Sequence, residues 1–196
     1  MDDDGRVIAL SPAYVGGVQL GAYATGRLLR APARDRLLHA CSTNADHLDS
    51  GRWDTLLTSA LMVEEPMELP YALLLLAVLG YAEYAHGAWW TAGVFALGHA
   101  GATLLVYGGL RAARAQDGTR SAVDVGVSYG FNAVLGALTG ALPAGPVRGL
   151  ARGALLAIGA RPLLGRGRTF TDAGHFAALA LGMGVSLVDY RSTGNR

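Results

Sequence analysis

The chain has 196 residues, 52% of them hydrophobic and 16% charged, with a formal net charge of +1. Soluble domains carry about 25% charged residues, so this composition points to one compact membrane domain and gives no sign of a nucleic-acid partner. The single cysteine, Cys41, excludes an internal disulfide, and the acidic start Met-Asp-Asp-Asp predicts no removable signal peptide.

Val7 to Leu29 is the first candidate span, at about 20 residues per crossing. Ser11, Pro12 and Gln19 interrupt it. Residues 30–67 mix charges such as Arg30, Arg34, Asp46, Asp49, Arg52 and Glu64 with apolar Trp53, Leu56, Leu57, Leu61 and Met62. That mixture predicts a long interfacial loop with short amphipathic turns. Thr43, Asn44 and Asp46 predict a turn or helix cap within it.

Leu69 to Tyr84 is the second span, closed by Glu83 and His86, and Trp89 and Trp90 then fit an interfacial aromatic belt. Trp89 to Leu110 is the third, with His99 between Gly98 and Gly101. A short arginine-bearing loop, 111–120, precedes the fourth span, Val123 to Leu142, which Pro143 and Gly145 end. Val147 to Leu164 is the fifth and is crowded by Arg148, Arg152 and Arg161. Asp172 to Val188 is the sixth.

The expected fold is an all-α membrane protein, a six-transmembrane-helix bundle with a long interfacial first loop, forming one domain over 1–196. Six spans put both termini on one side, so helices four and six run the same way. On helix four, Ser128, Asn132, Gly136 and Thr139 share one face at helical spacing. On helix six, His175, Ala178, Leu179, Gly182 and Ser186 do the same. Small and polar faces let membrane helices approach closely. Counted from the expected helix starts, Ser128 lies about 7 Å deep and His175 about 5 Å. A serine and a histidine at one depth form a possible nucleophile and base. The plain alternative for Ser128 is packing in a glycine-rich helix, and for His175 an interfacial position near a helix end. A haem or metal held by His99 and His175 is a weaker one, because His99 sits nearer mid-span.

These residues carry a resemblance. Gly126-Val-Ser128 resembles the Gly-x-Ser of the rhomboid family, and Gly174-His175 with Ala178 and Gly182 resembles its histidine helix. Arg52-Trp53 and the run to Met62 resemble its first loop entering helix two. The interval from Ser128 to His175 is 47 residues (175 − 128), room for one helix. The resemblance covers essentially the whole chain and is closest to divergent bacterial rhomboid-like membrane proteins. It implies intramembrane serine proteolysis by a Ser128–His175 dyad, without a cofactor or metal, on a transmembrane protein in the lipid bilayer of the cell membrane.

The chain also departs from the family. Glu68 and Ala72 stand where a His-x-x-x-Asn pair helps hold the oxyanion, and Asn132 stands where a tyrosine often packs on the histidine. Asn132, Tyr129 and the backbone at Gly126 are the substitute oxyanion candidates. A catalytically inactive relative that binds or retains membrane clients remains the second reading. The resemblance implies a first loop outside the cell, whereas the arginines on that side read as cytoplasmic.

Overall fold

The computed structural model describes residues 8–114 and 117–193, with the side chains of 117 and 187–193 left aside. Within them the chain is all-helical. Ten α-helices follow in order, α1 Leu10–Leu28, α2 Ala31–Cys41, α3 Ala45–Asp49, α4 Thr55–Thr58, α5 Leu69–His86, α6 Ala88–Ala112, α7 Asp117–Arg120, α8 Ser128–Leu138, α9 Pro146–Ala160 and α10 Phe170–Thr193. Short 3-10 turns follow α4, α8 and α9. Val7, the expected start of the first span, lies outside the described residues.

Two helices, α5 and α6, are long and apolar enough to cross a membrane. Their outer faces carry exposed Leu73, Leu74, Leu97, Leu104 and Leu105, and α1 exposes Leu20. Polar side chains such as Ser11, Thr91, His99, Thr103 and Ser186 are buried instead. An apolar exterior around a hydrogen-bonded polar interior suits an apolar solvent.

The centre is α8, wedged between α6 and α10. Its 11 residues give a length of about 17 Å, well short of a hydrocarbon core of about 30 Å. The expected fourth span therefore begins five residues late, at Ser128 and not Val123. Residues 122–126 have no regular secondary structure. The Asp124 carbonyl accepts from the Thr43 N–H at 3.2 Å, and the Gly126 N–H donates to the Ser59 carbonyl at 2.9 Å. These bonds replace helical ones. Gly126 adopts φ +146°, where a side chain is strained.

The two predicted small-residue faces do meet. A methyl group at Gly182 would overlap the Ala133 carbonyl, and one at Gly136 would overlap the Leu179 carbonyl. Backbones this close gain many dispersion contacts. Ala133 also fills the space beside Gly98 on α6. In contrast, α9 packs mainly on α10 and buries none of its side chains.

The first loop is helical in pieces and is tied down. The Asn44 side chain caps α3 by accepting the His47 N–H at 2.9 Å, as the turn signal predicts. Gln19, in mid-α1, donates to the Met67 carbonyl and accepts from the Met67 N–H, both at 2.9 Å. The amide that interrupts the first span thus pairs with the backbone leading into α5. At the opposite end, the Glu83 carboxylate accepts from the N–H groups of Ala9, Leu10 and Ser11 and from the Ser11 hydroxyl at 2.7–3.0 Å. It caps α1 across 72 residues, satisfying donors that a helix start leaves open.

Candidate active site

Ser128 is the first residue of α8, and His175 is the sixth of α10. Helix α8 begins inside the bundle, so the two residues reach the same level from different helix starts. Ser128 Oγ and His175 Nε2 are 2.8 Å apart. Both residues are half-buried, and first-loop residues Thr43 and Ser59 bond the segment that leads into Ser128. A hydroxyl and an imidazole at this distance can share a proton directly.

Tyr129 packs edge-on against His175, with ring centroids 5.3 Å apart. Its buried hydroxyl completes no hydrogen bond, although the Asp124 carboxylate lies near it. Its ring fills the space above Gly174, where any side chain would collide with it. The phenol therefore lies against the histidine and is not aimed at a carbonyl bound at Ser128. The resemblance assigns the histidine-packing place to the residue four beyond the serine. Here the residue directly after it takes that place. Among the described residues no carboxylate is hydrogen-bonded to His175, so the histidine is oriented by packing.

The other oxyanion candidates separate as well. The Gly126 N–H is spent on the Ser59 carbonyl, which removes it as a donor. Asn132 lies one turn below Ser128 and donates through Nδ2 to the Ser128 carbonyl at 2.8 Å. Its amide has a second N–H. The first intrahelical bond of α8 runs from Phe131 to Val127, so the N–H groups of Ser128, Tyr129 and Gly130 have no helical acceptor. These donors open the helix beside Ser128, where the helix dipole is positive. Glu68 is exposed at the N-cap of α5, and Ala72 packs against the core.

His99 is not a partner of His175. Its Nε2 lies 2.9 Å from Ser59 Oγ, and its ring packs near Tyr129 at 6.1 Å. Ser59 Oγ in turn lies 2.9 Å from Thr43 Oγ1. Tyr107 donates to the Thr43 carbonyl at 2.8 Å and to the Asp124 carboxylate at 3.0 Å. Ser42 Oγ accepts from the Asp124 N–H at 2.7 Å. Ser42, Thr43, Ser59 and Tyr107 carry no catalytic motif, and reasoning from sequence misses their part in the site. The available signal is the alternation Val123-x-Val125-x-Val127, which favours extended backbone and hence a need for bonding partners.

No group of three or more metal-ligating side chains occurs among the described residues. No curated protein and no solved structure matches the chain. A family model for rhomboid-like proteins matches residues 19–193, which include the first-loop stretch from Arg52 to Met62, Ser128 and His175. The chain belongs to the family of rhomboid-like proteins.

Proposed function

We propose that this protein is an intramembrane serine endopeptidase acting on transmembrane protein substrates. The observation that carries the reading is the 2.8 Å contact between Ser128 Oγ and His175 Nε2, at the residues the family resemblance singles out. In this reading α1, α5, α6, α8, α9 and α10 form a multi-pass bundle in the cell membrane, and α8 with its extended lead-in serves as the fourth segment.

The reaction needs only this chain and water. Ser128 Oγ attacks the peptide carbonyl carbon while His175 Nε2 takes the hydroxyl proton. The C–N bond then breaks, and the proton passes from Nε2 to the leaving amine. Water repeats the sequence on the acyl-enzyme, giving a carboxylate and free Ser128. The unpaired N–H groups of Ser128 and Tyr129, with the second N–H of Asn132, face the task of holding the oxyanion. Each such donor is worth about 10²–10³ in rate. Because Glu68 and Ala72 supply none, cleavage is slow.

Those same two residues favour the second reading, a catalytically inactive relative that binds or retains membrane clients. Cleavage of a single-pass membrane protein in proteoliposomes separates the two. Wild-type protein cuts it, whereas Ser128→Ala, His175→Ala and the double variant all fall to a common residual rate. Cleavage unchanged in Ser128→Ala sinks the protease reading.

A further inference from the structure

We propose that His99 is a positioning residue for the reaction at Ser128 and acts through Ser59. The proposal rests on the reading of Ser128 as the nucleophile. His99, Ser59 and Thr43 are 5%, 1% and 1% exposed, so none of them touches a substrate directly. Their hydroxyls and imidazole form one chain, His99 Nε2 to Ser59 Oγ to Thr43 Oγ1, with each step 2.9 Å.

The chain ends on the segment that delivers the nucleophile. The Ser59 carbonyl accepts the Gly126 N–H at 2.9 Å, and the Thr43 N–H donates to the Asp124 carbonyl at 3.2 Å. The residues whose hydroxyls are linked to His99 thus hold, by their backbones, the two residues at positions −4 and −2 from Ser128. Gly126 is the last tethered residue before α8 begins. Where it is held fixes the first turn of the helix, and with it the direction of the Ser128 Oγ and of the open N–H groups around it.

His99 is costly for a packing residue. Its Nδ1 is buried without a partner, and an unpaired buried polar atom costs about 1–3 kcal/mol. A leucine in the same space would avoid that cost. The imidazole is held from one side by the stacked Phe95 ring at 6.5 Å, and Tyr129 lies 6.1 Å away. Tyr129 also packs on His175, so His99 borders both the nucleophile's tether and the base's support. Placement errors of about 1 Å at a reacting atom cost up to roughly 10²-fold in rate.

The test is the second-order rate at which a fluorophosphonate modifies Ser128 in the full chain in detergent micelles, expressed per folded molecule from a thermal scan. The variants are His99→Leu, His99→Gln, Ser59→Ala and the double His99→Leu/Ser59→Ala. His99→Leu and Ser59→Ala each lower the rate roughly tenfold or more. The double variant loses no more than the worse single one, because both residues act along one path. His99→Gln, which returns an N–H near the Nε2 position, recovers at least half of the wild-type rate. A wild-type rate in folded His99→Leu, or additive losses in the double variant, overturns the proposal. If His99→Leu does not fold, a wild-type rate in folded Ser59→Ala overturns it equally. Failure of the underlying reading looks different: the wild-type protein itself then leaves Ser128 unmodified, and the proposal falls with it.

Discussion

Tyr129 and His175 form an edge-to-face pair with centroids 5.3 Å apart, and this pair holds the imidazole that reaches Ser128. Because no carboxylate among the described residues hydrogen-bonds the histidine, the aromatic ring is its main orienting contact. The expected role lies in ring packing and not in the hydroxyl. Tyr129→Phe retains cleavage within about twofold, whereas Tyr129→Ala loses roughly tenfold or more, read as kcat on a membrane substrate with KM little changed. Equal losses in both variants assign the role to the phenol oxygen instead.

Asn132 places a side-chain amide beside Ser128. Its Nδ2 is shared with the Ser128 carbonyl, so its second N–H is the donor left for an oxyanion. Asn132→Ala lowers kcat by about 10² if that donor acts in the transition state, and Asn132→Asp, which loses the donor and adds negative charge, lowers it further. Cleavage rates for the two variants that match wild type leave the oxyanion to the backbone alone.

Gly182 fits against the backbone of Ala133, with no room for a side chain. Gly182→Val separates α10 from α8, which moves His175 away from Ser128 and lowers the cleavage rate and the unfolding midpoint together. A cysteine cross-link between the two helices, engineered on either side of the contact, forms in the wild-type background and fails in this variant. Gly149, on α9, has open space where a methyl group would stand, and Gly149→Ala leaves both readouts unchanged.

The α8–α10 contact was legible because helical spacing is a property of each segment alone. Gly136 and Gly182 mark their faces whatever the rest of the chain does. The start of α8 was not, since it depends on Ser59 and Thr43, which are distant in sequence and bond to the backbone of 124–126. Local hydropathy extends the fourth span back to Val123, but the tertiary hydrogen bonds override it. Tyr129 was legible as a neighbour of Ser128 and not as the packing support of His175. One residue along a helix turns the side chain by about 100°, so Tyr129 meets His175 from another side of α8 than Ser128 does, next to His99 of α6. Among the described residues, only α5 and α6 of the six expected spans are both long and apolar enough to cross a membrane: α8 and α9 are short, α9 also carries Arg148 and Arg152, and α1 and α10 have the length and not the apolarity.

Glu83 anchors the end of the bundle away from the site, accepting four hydrogen bonds at the start of α1. Glu83→Ala leaves those donors open and lowers the unfolding midpoint by about 5–10 °C. The cleavage rate per folded molecule stays near wild type, because Glu83 lies at the opposite end of α5 from the level of Ser128 and His175. A normal midpoint in Glu83→Ala contradicts the anchoring role.

Activation of Ser128 as a nucleophile by His175 is central to the proposed chemistry. The most direct measurement is peptide mapping by mass spectrometry after folded full-length protein has been treated with an activated fluorophosphonate. The expected result is a single phosphonylated residue, Ser128, in the wild type, and loss of that adduct in His175→Ala with folding intact. An unmodified Ser128 in folded wild-type protein, or an adduct that forms equally well in His175→Ala, contradicts it.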